Sequence, residues 1–238
     1  MAYIYEHIRT QGYDPIYFEE HYTRLDSLAR TYFHEPLKTT REVLRKAIAE
    51  CLKEEQFSPK MMNVVRVRCF ADGTFKVEAG WMIYNTFSLR ALHPQAHFCR
   101  VSGSLLTDNT SAKEALVEFN QASAFTANEG VAVWATEQGE VVAIDGAPVI
   151  AIFEDEIKFS RAGQGVEFDL AYDVVCKMKH KVVRGEIRIE ELSQAKELLY
   201  IDYRGITAVQ TLDNSTIYMD ILAEKIAAHI AERESSNI

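Results

Sequence analysis

The chain has 238 residues, 47% of them hydrophobic and 26% charged, which is the composition of an ordinary globular protein long enough to bury a core. The net charge of -9 argues against a general nucleic-acid or anionic-membrane surface, but it leaves room for a local basic pocket that binds a small anion. No apolar run approaches the ~20 residues that span a bilayer, and no signal-peptide pattern is visible at the start, so we expect a cytoplasmic protein.

The first ninety-five residues predict a small α+β domain. Apolar residues at helical spacing run from Glu19 to Phe33, and Pro36 ends this helix. The capping-box pattern of Thr39 to Glu42 predicts the start of a second helix. Strands are predicted at residues 3–9, 14–18, 63–70 and 74–83, the last two joined by an Asp72-Gly73 hairpin turn.

Residues 84–105 lack a regular period and contain His93-Pro94, which is typical of a connection between domains. We therefore predict a small N-terminal domain at residues 1–95, including the connecting segment, and a larger C-terminal domain at residues 96–238.

The C-terminal domain is predicted to begin with a helix near Thr110, where Ser111 to Glu114 repeats the capping-box pattern. Further helices are predicted at residues 166–180 and 215–231. Short strands are predicted at residues 131–134, 140–144, 148–153, 156–159, 182–189, 198–202 and 206–210. Many short strands interleaved with helices indicate an α/β (α+β) protein with mixed sheets or a barrel.

Generic catalytic motifs are absent: the sequence contains no Walker loop, no dinucleotide-binding glycine pattern, no nucleophile elbow and no zinc-protease motif. The seven histidines show no ligand spacing, so we predict no metal site. The four cysteines are widely spaced, which favours reduced and mostly buried thiols over a disulfide or zinc framework.

Arg66 and Arg68 lie two residues apart on a predicted strand and therefore face the same side of it. Such a pair can bind a carboxylate. It is also typical of a solvated sheet face with salt bridges, and both readings stay open.

Several segments resemble the class IV aminotransferases, which are pyridoxal-phosphate enzymes of fold type IV. Tyr5–Thr10 and Phe18–Ala29 are similar to the entry strand and first helix of that family, which includes aminodeoxychorismate lyase and the branched-chain and D-amino acid aminotransferases. Asn128–Val142 resembles its central strand pair, and Leu192–Val209 its final helix and strands. The resemblance implies a small α+β N-terminal domain, a larger β-barrel-like C-terminal domain, a cofactor between them and a homodimer.

Some family site positions carry over by this resemblance. Arg24 matches the arginine that contacts the cofactor phosphate, although a surface arginine paired with Glu20 on the same helix is the alternative. Gly165 and Val166 match the first two positions of a phosphate-binding turn at a helix N-terminus. Arg204 falls near the second phosphate-binding position and could bind an anion there.

Other family positions depart from the pattern. The lysine that attaches the cofactor is expected between Leu105 and Asn109, where no amine occurs. The glutamate that pairs with the pyridine nitrogen is replaced by Ala143. Glu167 stands where the phosphate-binding threonine belongs and brings a second negative charge to that position.

Three functional hypotheses follow from the resemblance. The first is a pseudoenzyme of this fold, without pyridoxal phosphate, that binds a small anionic metabolite or a partner in the interdomain cleft through Arg24, Arg204, Arg66 and Arg68. The second is an active pyridoxal-phosphate lyase or aminotransferase that uses Lys113, which is one helical turn after Asn109 and could reach back over it. The simpler interpretation of Lys113 is a solvated surface lysine. The third is an enzyme that reuses the cleft without pyridoxal phosphate.

Overall fold

The computed structural model describes residues 2–82, 86–100, 108–125 and 130–236. The chain divides into two compact units. The first comprises Met1–Thr86 together with Asp108–Glu114, and the second comprises Phe87–Thr107 together with Ala115–Ile238. The domain boundary that we placed between residues 95 and 96 stays a prediction.

The first unit is a four-stranded antiparallel sheet covered on one face by two helices. Its elements are β1 (Tyr3–Gln11), β2 (Asp14–Pro15), α1 (Phe18–Phe33), α2 (Arg41–Glu54), β3 (Met62–Phe70) and β4 (Phe75–Trp81). The strand order is β2-β1-β3-β4. Apolar side chains of α1 and α2 pack against alternate residues of β1 and β3 to form the core of this unit, which includes Ile8, Leu25, Leu44, Ile48 and Val65.

The second unit contains two mixed sheets. Its elements in chain order are β5 (Leu89–Arg90), β6 (Gln95–Arg100), most of α3 (Ser111–Phe125), β7 (Val131–Ala135), β8 (Val141–Ile144), β9 (Val149–Ile152), β10 (Ile157–Ser160), α4 (Val166–Lys177), β11 (Val182–Gly185), a 3-10 helix (Ile189–Gln194), β12 (Glu197–Asp202), β13 (Gly205–Ala208), β14 (Thr211–Leu212), β15 (Thr216–Ile217) and α5 (Ile221–Ser236). One sheet has the order β11-β10-β9-β12-β13-β5, and the other has the order β15-β14-β6-β7-β8. The prediction of mixed sheets is confirmed, but the pairings of the described strands do not close a barrel.

Two predictions about the second unit are wrong. The closing helix begins at Ile221, because residues 211–217 form a hairpin in which Asp213 and Asn214 take the left-handed conformation. Residues 84–105 are not irregular throughout, since β5 and β6 lie within them. The strand β6 is parallel to both of its neighbours, β7 and β14, and these are distant in the sequence.

Both capping predictions are displaced by one residue. Thr40, and not Thr39, caps α2 by accepting a hydrogen bond from the backbone N–H of Val43 at 3.3 Å. At the start of α3, the hydroxyl of Thr110 accepts from the N–H of Lys113, also at 3.3 Å.

None of the helices in the described part of the chain combines the length and apolar composition that a bilayer-spanning helix requires. The four cysteines, all within the described residues, form no disulfide, but they are not mostly buried as predicted: Cys69 is buried and Cys176 is exposed. Within the described residues, no group of three histidine, cysteine or acidic side chains is arranged to hold a metal ion.

Candidate functional site

The residues singled out by the sequence fall into both units. Arg24, Arg66, Arg68 and Lys113 belong to the first unit, and residues 165, 166 and 204 belong to the second.

Arg24 lies on the side of α1 that faces the sheet. Its Nε donates to Oε1 of Glu6 on β1 at 2.8 Å. Arg24 therefore pairs with Glu6 and not with Glu20 of its own helix. The reason is that Arg24 lies on the same side of α1 as the apolar residues that face the sheet. Glu20 is exposed.

Glu6 is the centre of a buried polar cluster. Only 3% of its surface is exposed, and it accepts hydrogen bonds from three side chains: Arg24, Nδ1 of His21 at 3.0 Å and Nδ2 of Asn109 at 2.9 Å. Burial alone would raise the pKa of the Glu6 carboxyl, but the charge of Arg24 and the contacts with His21 outweigh it and lower the pKa to about 2. Glu6 is therefore ionised at neutral pH and is held by several donors.

Lys113 joins this cluster through Asn109. Its Nζ reaches back along the first turn of α3 and donates to Oδ1 of Asn109 at 3.1 Å. Lys113 is 6% exposed, so the reading of a solvated surface lysine is wrong. The polar chain runs from Lys113 through Asn109 to Glu6 and Arg24. Sequence patterns did not single out Glu6, His21 or Asn109, although a glutamate among apolar strand residues is a usable signal of a buried partner.

The opposite face of the sheet carries the arginine pair. By strand alternation, Tyr3, Tyr5, Arg66 and Arg68 share this face, which we call the arginine face. The guanidinium carbon of Arg66 lies 5.1 Å from the centre of the Tyr5 ring, and that of Arg68 lies 5.1 Å from the Tyr3 ring. Both arginines thus stack against aromatic rings.

Acidic side chains also meet the arginine face. Arg66 is paired with Glu114 from the first turn of α3, and Glu114 accepts a second hydrogen bond from the Tyr3 hydroxyl. Arg68 is paired with Glu78 on β4 at 3.3 Å. The side chains of Arg66 and Arg68 are 19% and 24% exposed, so this face carries salt bridges but is not freely solvated.

Burial raises the pKa of the Tyr3 hydroxyl, and the hydrogen bond to Glu114 raises it further. The pKa of Tyr5 is also raised, first by burial and then by the charge of Glu114. Both phenols are therefore protonated at neutral pH and able to donate hydrogen bonds.

In the second unit, Arg204 forms an ion pair with Asp202, which lies two residues earlier in the chain. Its Nε contacts both carboxylate oxygens of Asp202, at 3.1 and 2.9 Å, and its Nη2 donates to the same group. Burial would raise the pKa of Asp202, but the charge of Arg204 lowers it, and the carboxylate is ionised. Arg204 is 38% exposed, and its charge is largely balanced by Asp202.

Gly165 and Val166 form the entry to α4, as the resemblance implies. Gly165 has a φ of 151°, in the region that favours glycine, and Val166 is the first helical residue. Glu167 follows in the first turn and is buried. Its carboxylate thus lies at the helix end that carries partial positive charge.

Ala143 lies on β8 in an apolar setting. Its partner across the strands is Trp134 on β7, and both belong to a small buried cluster with Ala132 and Val142. The segment in which the attachment lysine is expected lies outside the described residues at positions 105–107; Asp108 and Asn109 are described.

No family model matches the chain, and no curated protein matches it either. Solved structures do match it over nearly its whole length, and they show that the chain has the fold of the class IV aminotransferases. The expected fold class is thereby confirmed.

Three of these structures illustrate the likeness. A branched-chain aminotransferase from Thermoproteus uzoniensis, determined with norvaline, has a TM-score of 0.82 at 15% identity over 98% of this chain and 86% of that one. A putative 4-amino-4-deoxychorismate lyase from Legionella pneumophila has a TM-score of 0.80 at 13% identity, covering 98% and 91%. A hypothetical aminotransferase from Mycobacterium tuberculosis, with α-ketoglutarate and PMP bound, has a TM-score of 0.78 at 13% identity, covering 97% and 89%.

Proposed function

We propose that the protein binds a small carboxylate-bearing metabolite at the arginine face of its first unit and does not carry out pyridoxal-phosphate chemistry. The observation that carries the proposal is the pairing of two stacked arginines with protonated tyrosines on one face of the sheet.

Charge supports this choice of face. Strand alternation on β1, β3 and β4 places Arg9 and Lys76 on the same side as Arg66 and Arg68, whereas Glu78 is the acidic residue of these strands on that side. Glu114 adds one carboxylate from α3. Basic side chains therefore outnumber acidic ones here, although the whole chain carries a net charge of -9. A local excess of positive charge on an acidic protein favours a negatively charged ligand.

The tyrosine side chains next to the two arginines indicate which class of ligand suits this face. An arginine fork matches the two oxygens of a carboxylate, and a phenol hydroxyl adds a further donor. The Tyr3 ring is partly exposed and offers apolar surface next to those donors, whereas the Tyr5 ring is buried. This combination suits a carboxylate attached to a flat apolar body better than a bare inorganic anion.

The residues at the family's cofactor positions do not fit pyridoxal phosphate. Ala143 has no acidic group for the pyridine nitrogen, and the buried side chains clustered with it in the described residues, Ala132, Trp134 and Val142, are apolar. At the phosphate positions, Asp202 already balances Arg204, and Glu167 is a carboxylate. Two like charges ~4 Å apart repel by about 4 kcal/mol at an effective dielectric constant near 20. These features support the expectation that pyridoxal phosphate is not the cofactor.

Isothermal titration calorimetry with benzoate, succinate and inorganic phosphate tests the proposed function. We expect benzoate to bind more tightly than succinate, and succinate more tightly than phosphate. The Arg66→Gln variant should lose benzoate binding, whereas Arg30→Gln should retain it, because Arg30 is an exposed residue of α1. Equal binding by the two variants, or no binding of any probe to the unmodified protein, would overturn the proposal.

A second candidate function is favoured by the burial of Lys113. A buried amine held by Asn109 is a candidate for attaching pyridoxal phosphate in an active lyase or aminotransferase. Pyridoxal phosphate should then produce a visible absorbance band and, after borohydride reduction, a mass increase on the peptide that contains Lys113. Lys113→Ala should abolish both signals, and Lys46→Ala, at an exposed lysine of α2, should not. A colourless protein without the mass increase would reject this candidate.

The homodimer and the cytoplasmic location remain expectations that rest on the resemblance. Sedimentation velocity at several protein concentrations tests the first, since a dimer dissociates on dilution when its association is weak.

A further inference from the structure

On the arginine face, the carboxylate of Glu114 is provided by the first turn of α3 and not by a strand of the sheet. One of its oxygens accepts from Arg66, and the other accepts from the Tyr3 hydroxyl. A ligand carboxylate on this face would use these same two donors. Glu114 is therefore bound in the way that a carboxylate ligand would be bound.

The backbone beneath Glu114 is well anchored. Thr110 forms an antiparallel bridge with Ile4 of β1, and the N–H of Tyr5 donates to the carbonyl oxygen of Asn109 at 2.9 Å. The N–H of Glu114 in turn donates to the carbonyl oxygen of Thr110 at 3.1 Å. Because the backbone is held, the Glu114 carboxylate can leave Arg66 by rotating its side chain, without unfolding the first turn of α3.

We propose that Glu114 is an internal competitor, whose carboxylate occupies the ligand's place on Arg66 and Tyr3 and must be displaced when a ligand carboxylate binds. This inference rests on the proposed function and adds its regulation. The displaced Glu114 stays close to the incoming anion and repels it, which lowers the affinity. A ligand overcomes this competition by adding contacts that Glu114 lacks, such as a flat body against the partly exposed Tyr3 ring.

Benzoate titrations of the full-length protein and three variants test the inference. Glu114→Gln removes the competing charge while keeping the size of the side chain, so we expect benzoate to bind about tenfold more tightly. Glu114→Asp shortens the reach to Arg66 and should give a smaller gain. Glu50→Gln removes an exposed carboxylate that pairs with Lys46 on α2, a helix on the other face of the sheet, and leaves Arg66 and Tyr3 occupied by Glu114. It should change the affinity by less than about threefold.

The outcomes separate the two proposals. If Arg66→Gln abolishes benzoate binding but neither Glu114 variant tightens it, Glu114 is not a competitor and the binding function stands. An equal gain in Glu50→Gln and Glu114→Gln would also reject the competitor, because it would indicate a general charge effect. If the unmodified protein binds none of the three probes, both proposals fail. Far-UV circular dichroism of each variant distinguishes lost binding from lost folding.

Discussion

Replacing Glu6 with glutamine removes the charge at the centre of the buried cluster while preserving its shape. The pKa of this carboxyl is lowered from 4.5 to about 2, which corresponds to about 3 kcal/mol of stabilisation at neutral pH. Removing one partner of a buried ion pair is expected to cost about 3–5 kcal/mol. Since Arg24 would be left without its carboxylate, we expect Glu6→Gln to lower the free energy of unfolding by about 3 kcal/mol at pH 7.

The pH dependence of this effect gives a sharper test. A lowered pKa means that the unfolded chain takes up the proton first, so the stabilisation is complete above pH 4.5 and is lost as the pH falls toward 2. At pH 3, where the folded-state pKa is only one unit lower, about 1 kcal/mol should remain. Guanidinium chloride unfolding followed by far-UV circular dichroism at pH 7 and pH 3 measures both values.

The matched control is Glu20→Gln. Glu20 is an exposed glutamate on α1 and the partner that the sequence offered for Arg24. Its replacement should change the free energy of unfolding by no more than about 0.5 kcal/mol. The reasoning is refuted if the two variants lose the same stability at pH 7, or if the loss in Glu6→Gln is the same at both pH values.

Three further predictions concern features away from the candidate site. Ellman's reagent at pH 8 should label the exposed Cys176 readily but should label Cys69 only on unfolding, because burial raises the pKa of the Cys69 thiol to about 12. Fast labelling of both thiols in the folded protein would contradict this prediction. Glu197→Gln should lower the unfolding free energy by about 1–2 kcal/mol in chemical denaturation, since this buried carboxylate accepts hydrogen bonds from the backbone N–H groups of Leu222 and Ala223 in the first turn of α5, at 2.7 and 3.0 Å. An unchanged unfolding midpoint would count against that role. Gly205→Ala should lower the unfolding free energy by at least about 2 kcal/mol in the same assay, because Gly205 has a φ of 124° and a methyl group on it would lie 2.3 Å from the carbonyl oxygen of Ser88. An unchanged unfolding free energy would show that the turn can relax.

Elements with strong local signals could be predicted from the sequence. The helix α1 was expected from Glu19 to Phe33 and forms from Phe18 to Phe33, because its apolar residues repeat at helical spacing. The Asp72-Gly73 turn joins β3 to β4 as expected, with Gly73 at a φ of 91°. In both cases the information lies within a few residues of the element.

Elements that depend on distant partners were harder to predict. The strand β6 is stabilised by β7 and β14, which lie far from it along the chain, and so its short sequence carried little periodic signal. Residues 215–217, which belong to the hairpin at residues 211–217, were predicted as the start of the closing helix, although Asp213-Asn214 is a local turn signal. A barrel was one of the two architectures indicated by the strand pattern and the one implied by the family resemblance, but the described strands of the second unit pair as two mixed sheets.

The candidate site shows the same division. The arginine pair was predicted from strand alternation, which is a local property. The true partner of Arg24 is Glu6, 18 residues earlier, and not Glu20, which helical spacing suggests. Likewise, Lys113 is buried because residues 108–110 run beside β1, more than one hundred residues earlier in the chain. Sequence periodicity does not report contacts of this range.

The first unit is not one continuous stretch of the chain, since Asp108–Glu114 completes it. During synthesis on a ribosome, β1 is made first, but the amide of Asn109 that binds Glu6 is made only 103 residues later. Until then Glu6 lacks one of its three donors, and a fragment that stops at Thr86 would never acquire it. Attempts to express this unit as an isolated fragment should therefore append the seven residues from Asp108 to Glu114, for example through a flexible linker after Thr86.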